Sequence, residues 1–188
     1  ASRFTSDITI AEKMYAPGRK LLLTGNRRCN ITNLHPMDDF YKKIHPNSKF
    51  LKHAFNVFFA EDILNLLHDC GVETAEENDT KIYPKSGKAE DVLVALMGKL
   101  NERKIYVTCN LKIKSFSLKN NLIDCVECED GTILKPEQII LCTGGKSYPG
   151  TGSTGDGYSL AEKVGHCIIP TYANLVPLET EGDNASRL

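Results

Sequence analysis

Ile139 to Gly157, IILCTGGKSYPGTGSTGDG, restricts this chain more than any other stretch, because six of the fourteen glycines fall between Gly144 and Gly157, directly behind an apolar run. The pattern predicts a strand over Gln138 to Cys142 that feeds a glycine-rich loop and then a helix. Glycine accepts positive φ and lets backbone N–H groups approach a ligand closely, so this order suits a cradle for phosphates and sugar hydroxyls. The helix is expected to begin near Asp156. Leu160, Ala161 and Val164 give it an apolar face, Thr154 or Asp156 can cap its start, and Gly165 suits the left-handed position after its last turn. A turn-rich surface loop without a ligand is the alternative reading of the same residues.

A strand before such a loop implies a sheet, and residues 7–12, DITIAE, offer another short strand ending at Glu12. In a dinucleotide-binding βαβ unit, an acidic residue at the end of the second strand hydrogen-bonds a ribose, and Glu12 stands at such a place. A solvated carboxylate after a strand is the other reading. Residues 1–6 have room for at most one turn of a preceding helix, so a first strand with its G-x-G-x-x-G is expected to be missing from these residues. Further on, Pro17-Gly18 makes a turn, and Leu21 to Leu23 form an apolar triplet too short and greasy to be exposed. Gly25-Asn26 then breaks the chain before Arg27, Arg28, Asn30, Thr32 and Asn33. Arginine suits a pyrophosphate, and Asn or Thr suits ring carbonyls and sugar hydroxyls; a solvated basic loop explains the cluster equally well. Cys29 acquires a lowered pKa if a neighbouring positive charge is close, but nothing else marks it as a catalytic thiol.

Between Pro36 and Leu67 the apolar period becomes helical. Phe50, Leu51, Ala54, Phe55 and Phe58 are expected on core faces, followed by Ile63, Leu64, Leu66 and Leu67. Residues 72–76 and 81–83 read as a hairpin turning at Asn78-Asp79, and residues 90–100 as an amphipathic helix with Val92, Leu93, Leu96 and Leu100 inward. Strands are expected over 105–109, 112–116, 122–128 and 132–134, then an extended stretch over 166–169. Cys125 and Cys128 form C-x-x-C without a second pair, and a spacing of three in a strand points them to opposite faces, which opposes metal or redox use. The histidines lack metal spacing, so no metal is expected.

Composition narrows the class. Hydrophobic residues make 41% and charged residues 25%, enough for a globular core, while the net charge of −1 and the absence of long basic runs oppose a large nucleic-acid footprint. No apolar run approaches the length of a membrane helix, and the N-terminus opens with polar residues, so neither a membrane nor a leader is expected. Seven cysteines, with Cys70, Cys109, Cys142 and Cys167 in apolar surroundings, fit reduced core thiols and a cytoplasmic location.

Glu12-Lys13, GRKLLLTGNRRCNITN over Gly18 to Asn33, the LCTGG strand end and YPGTGSTGDGY over Tyr148 to Tyr158 together resemble the HI0933-like (aminoacetone oxidase/BaiN-type) FAD-binding flavoprotein family. The resemblance spans nearly the whole chain, and LVPLE at 175–179 looks like that family's exit from the flavin domain. It implies an α/β fold: a partial Rossmann-like FAD-binding domain of the glutathione-reductase type over residues 1–178, with a β-meander and a helical insertion at about 36–100. Residues 179–188 would begin a second, substrate domain. Glu12 would hold the adenosine ribose, with Lys13 beside it. Arg19, Lys20, Thr24, Gly25, Arg28, Cys29 and Asn30 would line the pyrophosphate, ribitol and flavin. The backbone near Ile113 would face adenine, Thr143, Gly144 and Gly145 would pass the phosphates, and Asp156 would accept from a ligand hydroxyl. The implied activity is hydride transfer between flavin and a small-molecule substrate, either an amine or an unsaturated ring compound, with NAD(P)H as a potential electron donor. No residue of the chain is assigned to acid–base catalysis. Another chain or segment is expected to supply the rest of the FAD site. Two further readings are a non-catalytic nucleotide-binding or assembly module and a flavoprotein of RNA modification, the latter opposed by the balanced charge.

Overall fold

The computed structural model describes residue 5, residues 7–78 and residues 80–173. The fold is α/β. Strand β1 (Thr9–Ala11) pairs in parallel with β5 (Tyr106–Thr108), Ile10 lying opposite Val107. A parallel pair needs a crossover, and the segment between these strands supplies a long one containing helices and a small second sheet. That sheet has the order β2 (Thr32–Asn33), β4 (Lys81–Pro84), β3 (Thr74–Glu77), all antiparallel. The expected hairpin is present, although Asp79 of its turn lies outside the described residues. A third sheet is the meander β6 (Ile113–Lys119), β7 (Leu122–Cys128), β8 (Ile133–Leu134).

Helices follow the apolar periodicity, broken more often than the pattern suggests. After the one-turn α1 (Thr24–Arg27) come α2 (Met37–Lys43), a 3-10 turn at Ser48–Leu51, α3 (Lys52–Val57), α4 (Ala60–Asp69), α5 (Ala89–Glu102) and α6 (Asp156–Lys163). Pro36 takes the N-cap position of α2. The Phe59 N–H at the start of α4 donates to Asp62, so an otherwise orphaned backbone donor is satisfied while negative charge sits at the helix N-terminus. Leu67 of α4, Ala89 and Val92 of α5, Val72 and Cys29 are buried together, with Leu21, Leu22, Ile31, Ile63, Ala95 and Leu96 packed around them. This cluster anchors the loop that carries the candidate site.

Several expectations fail, each for a local reason. Residues 138–142 are extended but unpaired, and Ile140 is 71% exposed, because among the described residues no strand lies alongside to accept their hydrogen bonds. Leu23 is 45% exposed while Leu21 and Leu22 face the core, since a 3-10 turn at Leu21–Leu23 cannot bury three consecutive side chains. Phe50 and Phe58 are also exposed. The broken helices direct only Phe55 and Phe59 inward, against Phe40 and Tyr41, with ring centroids 4.8–6.1 Å apart. Cys142 and Cys167 are exposed thiols instead of core residues. Cys125 and Cys128 are both buried and free. Neighbouring Val126 is buried too, so both faces of β7 are covered there and opposite-facing thiols can be buried together. No metal-binding group of His, Cys, Asp or Glu occurs among the described residues, and no described helix is long and apolar enough to cross a membrane. LVPLE and the expected start of a second domain lie outside the described residues.

Candidate functional site

The segment that leaves β1 and the glycine-rich loop meet. Two lysines stitch them together. Lys13 Nζ donates to Thr154 Oγ1 at 2.5 Å and to Asp156 Oδ2 at 2.6 Å, and the Thr154 hydroxyl donates to Asp156 Oδ1 at 2.6 Å. Lys20 Nζ donates to the Ser147 carbonyl and hydroxyl, both at 2.9 Å, and lies 3.3 Å from the hydroxyl of buried Ser153. Burial alone would raise the pKa of Asp156, but its hydrogen bonds from Lys13 and Thr154 hold the carboxyl below its ordinary value.

Glycine permits this approach at two places. Gly152 has φ +100°, and a Cβ there would come within 2.8 Å of Met14 Cγ. At Gly157, inside α6, a Cβ would meet Thr143 Oγ1 at 2.2 Å, so the strand end and the helix touch only because the side chain is absent. Gly144 and Gly145 lie beside Ser153 and the Tyr158 hydroxyl respectively. The stitched region thus brings Lys13, Lys20, Thr143, Gly144, Gly145 and Asp156 together from segments more than 120 residues apart.

Glu12 sits at the end of β1. One carboxylate oxygen accepts from the Met14 N–H at 2.8 Å, and its backbone carbonyl accepts from Leu111 at 3.0 Å. Ile113 begins β6, in a different sheet, two residues after Leu111, so that backbone hydrogen bond ties the end of β1 to the segment entering β6. A cleft of about 490 Å³ opens between Tyr15, Arg19, Leu22 and Leu23 and the loop residues Tyr148, Pro149, Gly150 and Thr151. The Arg19 guanidinium stacks 4.7 Å from the Tyr15 ring centroid. Tyr148 holds φ +56°, a left-handed backbone that a tyrosine adopts only when its surroundings impose it.

The TGNRRCN segment behaves differently. Gly25, Asn26, Arg27 and Cys29 all have positive φ, and a Cβ on Gly25 would be 2.6 Å from the Asn30 backbone nitrogen, so the turn is very tight. The Thr24 hydroxyl donates to Leu21 O at 2.7 Å and closes the turn from below. Arg28 leaves the cleft: its guanidinium pairs with Glu77 and lies 4.5 Å from the Tyr83 ring centroid. Its pKa is raised chiefly by the hydrogen bond to Glu77. At Cys29 burial pushes the thiol pKa up, partly opposed by the Thr24 hydroxyl, which corrects the expected lowering. Asn30 remains exposed.

Do these residues fit a flavin dinucleotide? Glu12 retains one carboxylate oxygen for a ribose hydroxyl, the glycine loop approaches closely enough to offer backbone N–H groups, and the cleft has an aromatic wall and a cation. The fit is therefore good at the sugar and ring ends. At the phosphates, Lys13 and Lys20 already serve protein acceptors and would exchange or share them with a ligand. Both Asp156 oxygens have protein donors, so any ligand hydroxyl would join an occupied carboxylate. Tyr15, Tyr148, Ser147 and Ser153 joined the site without being singled out in the sequence, and Thr154, expected as a helix cap, instead bonds Lys13 and Asp156 while Gly155 takes the N-cap position. The Tyr15–Arg19 spacing of four was a visible signal; the lysine–hydroxyl pairings had none, because they span the whole crossover.

A model described as the HI0933-like protein Rossmann domain matches residues 1–182. A 3-dehydro-bile acid delta(4,6)-reductase of Clostridium scindens is 30% identical over 176 residues, covering 94% of this chain and 42% of that protein. Ribosomal RNA dihydrouridine synthases of Escherichia coli and Haemophilus influenzae are 31% and 26% identical, covering 86% and 94% of this chain and 39% and 44% of theirs. The chain spans about two fifths of the length of these curated relatives.

Proposed function

The chain belongs to the HI0933-like family through its Rossmann domain, and from that membership we propose that it forms part of an FAD-dependent oxidoreductase. The observation that carries this reading is the double stitch of Lys13 and Lys20 to the glycine loop, which joins the segment carrying Glu12, Tyr15 and Arg19 to the loop whose Tyr148 lines the same cleft. Bound FAD would supply two-electron chemistry, taking up and delivering hydride. Glu12 would hold a ribose hydroxyl of the adenosine half. The glycine-loop amides and the two lysines would balance phosphate charge, and the cleft would exclude water from one side of a planar ring. Arg19 would carry a positive charge at that ring's edge. No residue of this chain is assigned a proton transfer.

The reductase and dihydrouridine synthase activities for which the relatives are named favour reduction of a carbon–carbon double bond, and we take an unsaturated ring as the substrate class, with NAD(P)H as the reductant. A second reading, in which that ring is a uracil within RNA, is favoured by a specific feature: between Phe40 and Ala60 the chain has four lysines, two histidines and no Asp or Glu. A test of the flavin reading is the visible spectrum of purified protein after FAD addition and gel filtration. Flavin bands should persist, and Glu12→Gln should weaken FAD about ten- to a hundredfold while leaving FMN, which lacks the adenosine ribose, unaffected. A colourless protein after reconstitution would place FAD binding outside this chain.

A further inference from the structure

We propose that the exposed face of residues 42–58 is a docking surface for single-stranded RNA, with Phe50 as a stacking platform and Lys43, Lys49 and Lys52 as phosphate partners. This deepens the RNA reading above and rests on it, whereas the binding itself needs no flavin. Residues 42–58 carry four lysines and no carboxylate, while the whole chain carries −1; with Lys42 paired to Asp39, the local excess is the three lysines Lys43, Lys49 and Lys52. Whole-chain balance therefore conceals a local segregation, and charge complementarity selects a polyanion for this face. Lys42 is offset by Asp39 at 2.8 Å, but among the described residues Lys43, Lys49 and Lys52 have no ion-pair partner.

Phe40, Tyr41, Phe55 and Phe59 satisfy one another beneath this surface. Phe50, in the 3-10 turn Ser48–Leu51 between α2 and α3, is 81% exposed with Lys49 before it and Lys52 two residues later. Phe58, at the end of α3, is half exposed. An exposed phenylalanine among cations costs free energy in water and contributes nothing to the core, whereas a base can stack on it while the lysines follow the backbone. An anionic lipid surface is the competing polyanion, but α2 and α3 have seven and six residues, too short to lay an amphipathic face into a bilayer interface. The mixture of isolated rings and separated charges suits unstacked single-stranded bases better than a duplex.

Fluorescence anisotropy of the full chain, flavin-free, with a labelled uridine-rich single-stranded 12-mer tests this. Phe50→Ala should weaken binding about tenfold or more with an unchanged circular dichroism spectrum, and Phe50→Trp should retain it. Lys49→Glu/Lys52→Glu should reduce the slope of log K against log salt by about 1.4. If wild type binds RNA but these variants bind equally well, this face is overturned and the RNA reading stands. If the chain sediments with phosphatidylserine vesicles and ignores RNA, the face belongs to a membrane. Binding to neither would overturn both the face and the RNA reading.

Discussion

Asp156 illustrates how a single carboxylate organises the loop. It receives Lys13 and Thr154 at once, and with both lysine and carboxylate less than a third exposed the pair is only partly screened by solvent. Asp156→Asn is expected to cost about 1–3 kcal/mol in urea unfolding, the range for losing a charge-assisted hydrogen bond. The effect should depend on pH in one direction. Because the folded carboxyl lies below the unfolded value of about 3.9, the contribution is complete above that pH and disappears as pH falls through the folded pKa. The gap between wild type and Asp156→Asn should therefore close below about pH 4. Thiol reactivity provides a second residue-level check. Exposed Cys142 and Cys167 should react first with iodoacetamide at pH 8, while Cys29, buried and with a raised pKa, should be among the last by mass spectrometry.

At the scale of elements, α6 and the strand end before it are fitted around a missing side chain. Gly157→Ala would gain helix propensity of about 1 kcal/mol, yet its Cβ would collide with Thr143 Oγ1. Overpacking of this kind costs about 1–3 kcal/mol, so the single variant should be neutral to destabilised in thermal unfolding. Adding Thr143→Ala removes the oxygen and leaves only ordinary contacts, so the double variant should recover or exceed wild-type stability. Hydrogen exchange should separate the meander from the unpaired strand end. Amides bonded between β6 and β7 should be protected, while those of residues 139–142, without ladder partners among the described residues, should exchange rapidly.

For the whole molecule, near-neutral charge and scattered apolar exposure act together. Ile140, Leu141, Ile169 and Tyr172 are exposed, and the chain's isoelectric point is about 6.6. Light scattering should show self-association greatest near that pH and reduced on either side, as net charge restores repulsion. How much of this architecture the sequence reveals varies with the range of the interactions. Alternation in 122–128 and the period of α5 marked their elements, and the run of glycines after residue 143 marked a loop of close approach, since each of these depends on local chemistry. The family motifs likewise lie in contiguous residues. Only the tertiary structure decided that Lys13 and Lys20 hold the glycine loop, that Glu77 pairs with Arg28, that burial raises the Cys29 thiol, and that Phe50 faces water while Phe55 does not. Those outcomes depend on partners distant in sequence and on where short helices break, and neither is encoded in a local period of side chains.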